Sequence, residues 1–142
     1  MELDIQLILR TYLSNMLVRN CSIFGQSIVI ELQSNLHSFQ VCLESRWHVV
    51  REDGTDFNSE QLQWTGEGRL QLQGELVSSF DGEILRHIQI ESDFNDMALI
   101  FNKLILKTEV DNSSVSPAWF IIDQRLNRKF SANSSAISLT QC

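Results

Sequence analysis

The ten residues Ser45–Gly54, SRWHVVREDG, gather one imidazole, two guanidinium groups and two carboxylates in a single short run. As chemistry, His48 would serve as a base and Glu52 or Asp53 as the acid that orients it. The same run also reads as the end of a strand. Trp47 and Val49 fall on one face of an extended chain, His48 and Val50 on the other, and Glu52-Asp53-Gly54 makes a turn. The chain holds its own control. A second strand pattern also opens on tryptophan, Trp119-Phe120-Ile121-Ile122-Asp123, and there Phe120 fills the slot of His48. A slot that takes phenylalanine does not require an imidazole. His48 is therefore read as a strand residue, and Trp47 and Trp119 as large core anchors.

No other group of residues has catalytic or metal-binding spacing. His37, His48 and His87 are scattered. His87, Gln89 and Glu91 share one strand face, but positions four apart on a strand lie about 13 Å apart, too far to chelate one ion. The chain has no Gly-x-Ser-x-Gly elbow, phosphate loop or dinucleotide fingerprint. Cys21, Cys42 and Cys142 are odd in number and lack disulfide or zinc spacing. The sequence thus predicts no catalytic residue, no metal and no cofactor.

The elements that would position these residues follow from periodicity. Ile5, Ile8, Leu9, Tyr12, Leu13, Met16 and Leu17 form one apolar stripe, which predicts a helix over residues 2 to about 19. Period two then marks strands around residues 28–33, 39–44 and 47–50, joined as an antiparallel meander. Residues 54–68 are polar and read as a connection. Residues 69–80 carry both alternation (Leu70, Leu72) and spacing four (Leu72, Leu76, Phe80), so strand and helix both remain open, with the helix preferred. Strands return at Ile84–Ile90, Met97–Phe101, Leu104–Val110 and Trp119–Asp123. The expected fold is α+β and mostly antiparallel β, with an N-terminal helix packed on the sheet or sheets. Two pseudo-repeated halves, each a helix plus a β-meander, would form a single sandwich- or half-barrel-like domain. The first half would cover about 1–53, the connection 54–68 and the second half 69–130, with a loosely ordered polar tail over 131–142.

Of the 142 residues, 18 are acidic and 11 are Lys or Arg, a formal charge of −7. That balance argues against nucleic acid as a partner, since phosphate neutralisation needs a basic face. It suits a partner that is itself basic. No run approaches the roughly 20 apolar residues needed to cross a bilayer, and Met1-Glu2-Leu3-Asp4 is acidic where a signal peptide would be basic. A cytoplasmic protein that does not use a membrane is expected. Glu52, Asp53, Asp56 and Glu60 follow the first Trp strand, and Asp93 and Asp96 fall within the second strand set. Trp64 stands in a polar, glycine-containing run where an exposed aromatic would centre an interface. These seven residues are the partner-binding candidates.

Taken in order, the helix, the Ile-x-Ile strands, Glu44-Ser45-Arg46-Trp47, the acidic turn, a second Ile-x-Ile, Asp96-Met97-Ala98-Leu99-Ile100-Phe101 and the final Trp strand form a pattern. That pattern resembles the small acidic bacterial immunity proteins of contact-dependent growth inhibition and polymorphic toxin systems. The resemblance implies a non-enzymatic inhibitor that binds a cognate toxin domain, often a basic nuclease, and blocks its active site. The alternative is a small non-enzymatic β-rich binding or assembly module with another partner.

Overall fold

The computed structural model describes residues 4–63, 67–91, 95–109, 118–132 and 136–141. The chain begins with helix α1 (Ile5–Leu13), whose first turn is capped by Asp4 Oδ1 accepting from the Leu7 amide at 3.0 Å. Leu9 and Leu13 are fully buried, while Leu7 and Tyr12 face outward. The predicted helix ends early. Ser14 and Asn15 make a turn, Asn15 takes φ +65°, and its amide donates to the Leu85 carbonyl at 2.6 Å. Met16 and Leu17 therefore open strand β1 (Met16–Phe24), which the helical stripe had concealed. Their spacing from Tyr12 and Leu13 continues a helix face, yet Met16 and Val18 also alternate, and the left-handed asparagine decides in favour of the strand.

β2 (Ser27–Gln33), β3 (Ser38–Leu43), β4 (Arg46–Arg51) and β5 (Asp56–Asn58) follow, then a 3-10 turn over Ser59–Gln63 and helix α2 (Glu67–Ser78). The residues read as a plain connection thus hold a strand, a turn and the start of a helix. In α2 the spacing of four prevails. Leu76, and Phe80 just beyond the helix, are buried, whereas Leu70 is left in solvent. The rest is strand: β6 (Ile84–Ile90), β7 (Met97–Phe101), β8 (Leu104–Glu109), β9 (Trp119–Asp123), β10 (Arg128–Ala132) and β11 (Ile137–Gln141). The expected loose tail is instead an edge hairpin. Phe130 and Ala132 are buried, and Ile137 and Leu139 pack against the core.

All eleven strands join one antiparallel sheet in the order β11-β10-β9-β3-β2-β1-β6-β7-β8-β4-β5. Helices α1 on β6 and α2 against β1 pack on this sheet, and the sheet curls back on itself, since β3 and β4 stand six places apart in its order yet are joined by only Glu44 and Ser45. The order also corrects the meander. β4 does not pair with β3. β9 takes that edge, with Phe39 opposite Asp123 and Leu43 opposite Trp119. β4 instead joins β8, with Trp47 opposite Thr108 and Arg51 opposite Leu104. The diversion occurs at Glu44 and Ser45, whose amides both donate to the Ala118 carbonyl at the start of β9.

One sheet face is mainly apolar, with Thr108 and the Asp123–Arg128 pair among its polar members. Ile28, Ile30, Val41, Leu43, Trp47, Val49, Leu99, Leu106, Trp119, Ile121 and Phe130 are at most 1% exposed. The other face carries most of the remaining charged groups of the strands.

Candidate functional site

On the wing from β6 to β5, the outer face is set by strand register. Gln89, Ala98, Lys107, His48 and Asn58 lie in one row across β6, β7, β8, β4 and β5. The alternation foreseen in SRWHVVREDG holds, since Trp47 and Val49 are buried, and His48 and Val50 stand on the opposite face. His48 Nδ1 lies 3.1 Å from Glu109 Oε1 of β8. Arg46 Nη1 lies 3.7 Å from Glu60 Oε1, with both groups exposed. These side chains, with Asp56, border a shallow hollow of about 280 Å³. Three carboxylates (Asp56, Glu60, Glu109) share it with one arginine and one histidine.

Two neighbouring hollows receive the remaining candidates. Glu91 and Asp96 border one of about 380 Å³, with Lys107 between them and the first hollow. Glu52 and Asp53, in the β4–β5 turn, border another of about 390 Å³ beside Arg51 and Lys103. The hydroxyl and amide of Thr55 hold Asp53 below the ordinary carboxylate range, with a smaller contribution from Arg51. The structure thus brings Asp56 together with Glu60, and Glu52 with Asp53. It places Asp96 in a third group. Trp64 and Asp93 lie outside the described residues. Glu109 and Arg46 were not among the sequence candidates, because their places depend on the β4–β8 pairing, which local periodicity does not reveal.

Among the described residues, no hydroxyl or thiol is hydrogen-bonded to His48, so its pairing with Glu109 activates no nucleophile there. Ser59 is turned inward, where its Oγ accepts from the Trp47 amide at 3.1 Å. Burial pushes the Cys21 thiol up to about 12 and the Cys42 thiol up to about 11, with nearby Asp81 and Glu44 adding to the respective effects. Both thiols are inert at neutral pH. No group of three or more His, Cys, Asp or Glu among the described residues is placed to hold a metal ion.

Charge is also divided along the chain. Residues 124–142 contain Arg125, Arg128 and Lys129 and no acid, so all 18 acids belong to residues 1–123. Arg125, Arg128 and Lys129 thus lie at the β10–β11 end of the sheet, where Asp123 of β9 pairs with Arg128. No helix of the described chain is long and apolar enough to cross a membrane. Comparison with protein-family models, curated proteins and solved structures gave no match.

Proposed function

We propose that this chain is a non-catalytic binding protein that neutralises a basic partner, in the manner of an immunity protein acting on its cognate toxin domain. The single observation that carries the reading is the clustering of Asp56, Glu60 and Glu109 around one hollow on the outer face of the β4–β5 wing, with Glu91 and Asp96 beside the next. Carboxylates so grouped steer a basic surface toward the sheet and raise its rate of association. The same acids could mimic the phosphates that a nuclease binds. On this reading the protein works in the cytoplasm of the cell that makes the toxin.

The finer architecture belongs to the same proposal. The two halves form a doubled scaffold, each a helix followed by three strands in sequence, with the Trp strand of each added to the other. The indoles support this. Trp47 Nε1 donates to the Gln26 carbonyl, between β1 and β2, and Trp119 Nε1 donates to the Asn95 carbonyl, between β6 and β7, both at 2.8 Å. Each tryptophan therefore ties the first loop of one strand trio while its own strand extends the other.

A second reading, an assembly module, draws on β11. That edge strand, Ile-Ser-Leu-Thr-Gln, has no charge, proline or bulge to discourage pairing with another strand. Expression beside the toxin fragment encoded next to the gene separates the two. Survival of cells that otherwise die supports neutralisation, and unchanged killing with soluble chain present contradicts it.

A further inference from the structure

Two arginines in this fold are held in similar ways, one with a close counterion and one with a longer contact to an exposed aspartate. Arg128 lies with its guanidinium 5.2 Å from the centre of the Phe130 ring and 5.6 Å from that of Tyr12, and its Nε donates to Asp123 Oδ2 at 3.0 Å. Asp123 is fully buried and also accepts from the Arg125 and Leu126 amides. Arg51 lies 5.2 Å from the centre of the Phe57 ring, and its Nη1 donates to Ser79 Oγ at 3.1 Å. That hydroxyl in turn donates to the Glu75 carbonyl, which leaves its lone pairs facing the arginine. Arg51 Nε, however, is buried with no partner. A buried donor left unmatched costs free energy that an acceptor would recover.

The carboxylate paired with Arg51 meets it only at a distance. Asp53 Oδ1 is held in its turn by the Thr55 amide at 2.9 Å, and Oδ2 remains 3.6 Å from Nη2. Beside the guanidinium is the hollow of about 390 Å³, bordered by Lys103 as a second cation and by Leu104 as an apolar wall. The Lys103 backbone is fixed from both sides. Its amide donates to Glu83 Oε1 at 2.8 Å, and its carbonyl accepts from the Glu52 amide at 2.7 Å.

We propose that this hollow binds a carboxylate group, which displaces the long Asp53 contact, pairs side-on with Arg51 Nε and Nη2 beside Lys103 Nζ, and lays its carbon chain against Leu104. Planar two-point pairing is what a guanidinium offers a carboxylate. Glu52 and Asp53 stand at the rim and repel a second negative charge, so a monoanion is selected over a phosphate dianion. The carboxylate comes either from a small organic acid or from the free end of a peptide chain. This inference does not depend on the toxin reading.

The test follows the Arg51 Nε–Hε and Leu104 amide resonances by NMR at constant ionic strength. Sodium propionate should shift both saturably, and sodium chloride should shift neither. Lys103→Met, a change at an exposed side chain, should raise the half-saturation concentration about tenfold, equivalent to 1.4 kcal/mol. Arg51→Met should abolish the Leu104 response. No saturable shift, an equal response to chloride, stronger binding of phosphate than of propionate, or an unchanged titration in Lys103→Met would each overturn the proposal. A tripeptide with a free C-terminus, compared with its amide and with propionate, separates the sources. Preference for the free peptide marks a chain end, preference for propionate marks a small acid, and equal binding of the amide overturns the carboxylate class.

Discussion

Truncating Trp47 or Trp119 removes the largest side chains that are wholly withdrawn from water among the described residues, at 1% and 0% exposure. Loss of the buried indole and the cavity it leaves should cost about 3–5 kcal/mol for each Trp→Ala change. Trp→Phe isolates a further part. The Gln26 carbonyl that accepts from Trp47 belongs to an exposed residue and regains water, so Trp47→Phe loses about 1 kcal/mol of hydrogen bonding. Asn95 is only partly exposed, and Trp119→Phe should lose more, up to about 3 kcal/mol. Against a typical total of about 5–15 kcal/mol, either Ala variant should be severely weakened. Urea unfolding followed by far-ultraviolet circular dichroism measures each loss. Because β4 extends one trio of strands and β9 the other, the whole chain should unfold in one transition. A loss below about 1 kcal/mol in either Ala variant, or two separate transitions, would refute the reasoning.

Asp123→Asn should cost up to about 3–5 kcal/mol in the same urea assay, because it removes the negative charge paired with the half-buried Arg128. His48→Phe should leave the fold intact, as thermal melting would report, since the residue lies on the outer face and only its Glu109 contact is lost. Asp56→Asn combined with Glu60→Gln should slow association with a basic partner more than it speeds dissociation, and stopped-flow kinetics at two salt concentrations would check this. The cysteines make an alkaline prediction. Burial raises Cys21 and Cys42 in the folded chain, so the stability tied to their protonated thiols is complete below the ordinary thiol value near 9 and is lost as pH climbs toward 11 and 12. Melting temperature in a Cys142→Ser background should fall across that window, and less so when Cys21 is replaced by Ala.

The local periods were legible because each reports which face of one element is dry. Leu9 and Leu13 marked α1, and Ile28, Ile30 and Leu32 marked β2. Spacing of four also identified α2 within a run that alternates at Leu70 and Leu72. Where two periods coincided, as at Met16 and Leu17, the outcome rested on the backbone of Asn15 and its bond to Leu85, a residue 70 positions away. The hairpin β10–β11 shows a different limit. Phe130, Ala132, Ile137 and Leu139 do alternate, yet their Ser- and Asn-rich surroundings mask the pattern. Strand neighbours were the least legible. Nothing in Arg46–Arg51 says that β8 and not β3 lies beside it, since the exchange is decided by β9 occupying the β3 edge. The acidic candidates were visible as charges. Their grouping with Glu109 and Arg46 required that register.

The proposed neutralisation is binding without turnover. Purified chain, added in steps to a fixed amount of the cognate toxin domain, should abolish toxin activity with an end point at one chain per toxin, and high salt should slow the onset. Complete inactivation by far less than one equivalent, or full toxin activity in the presence of excess chain, would contradict it.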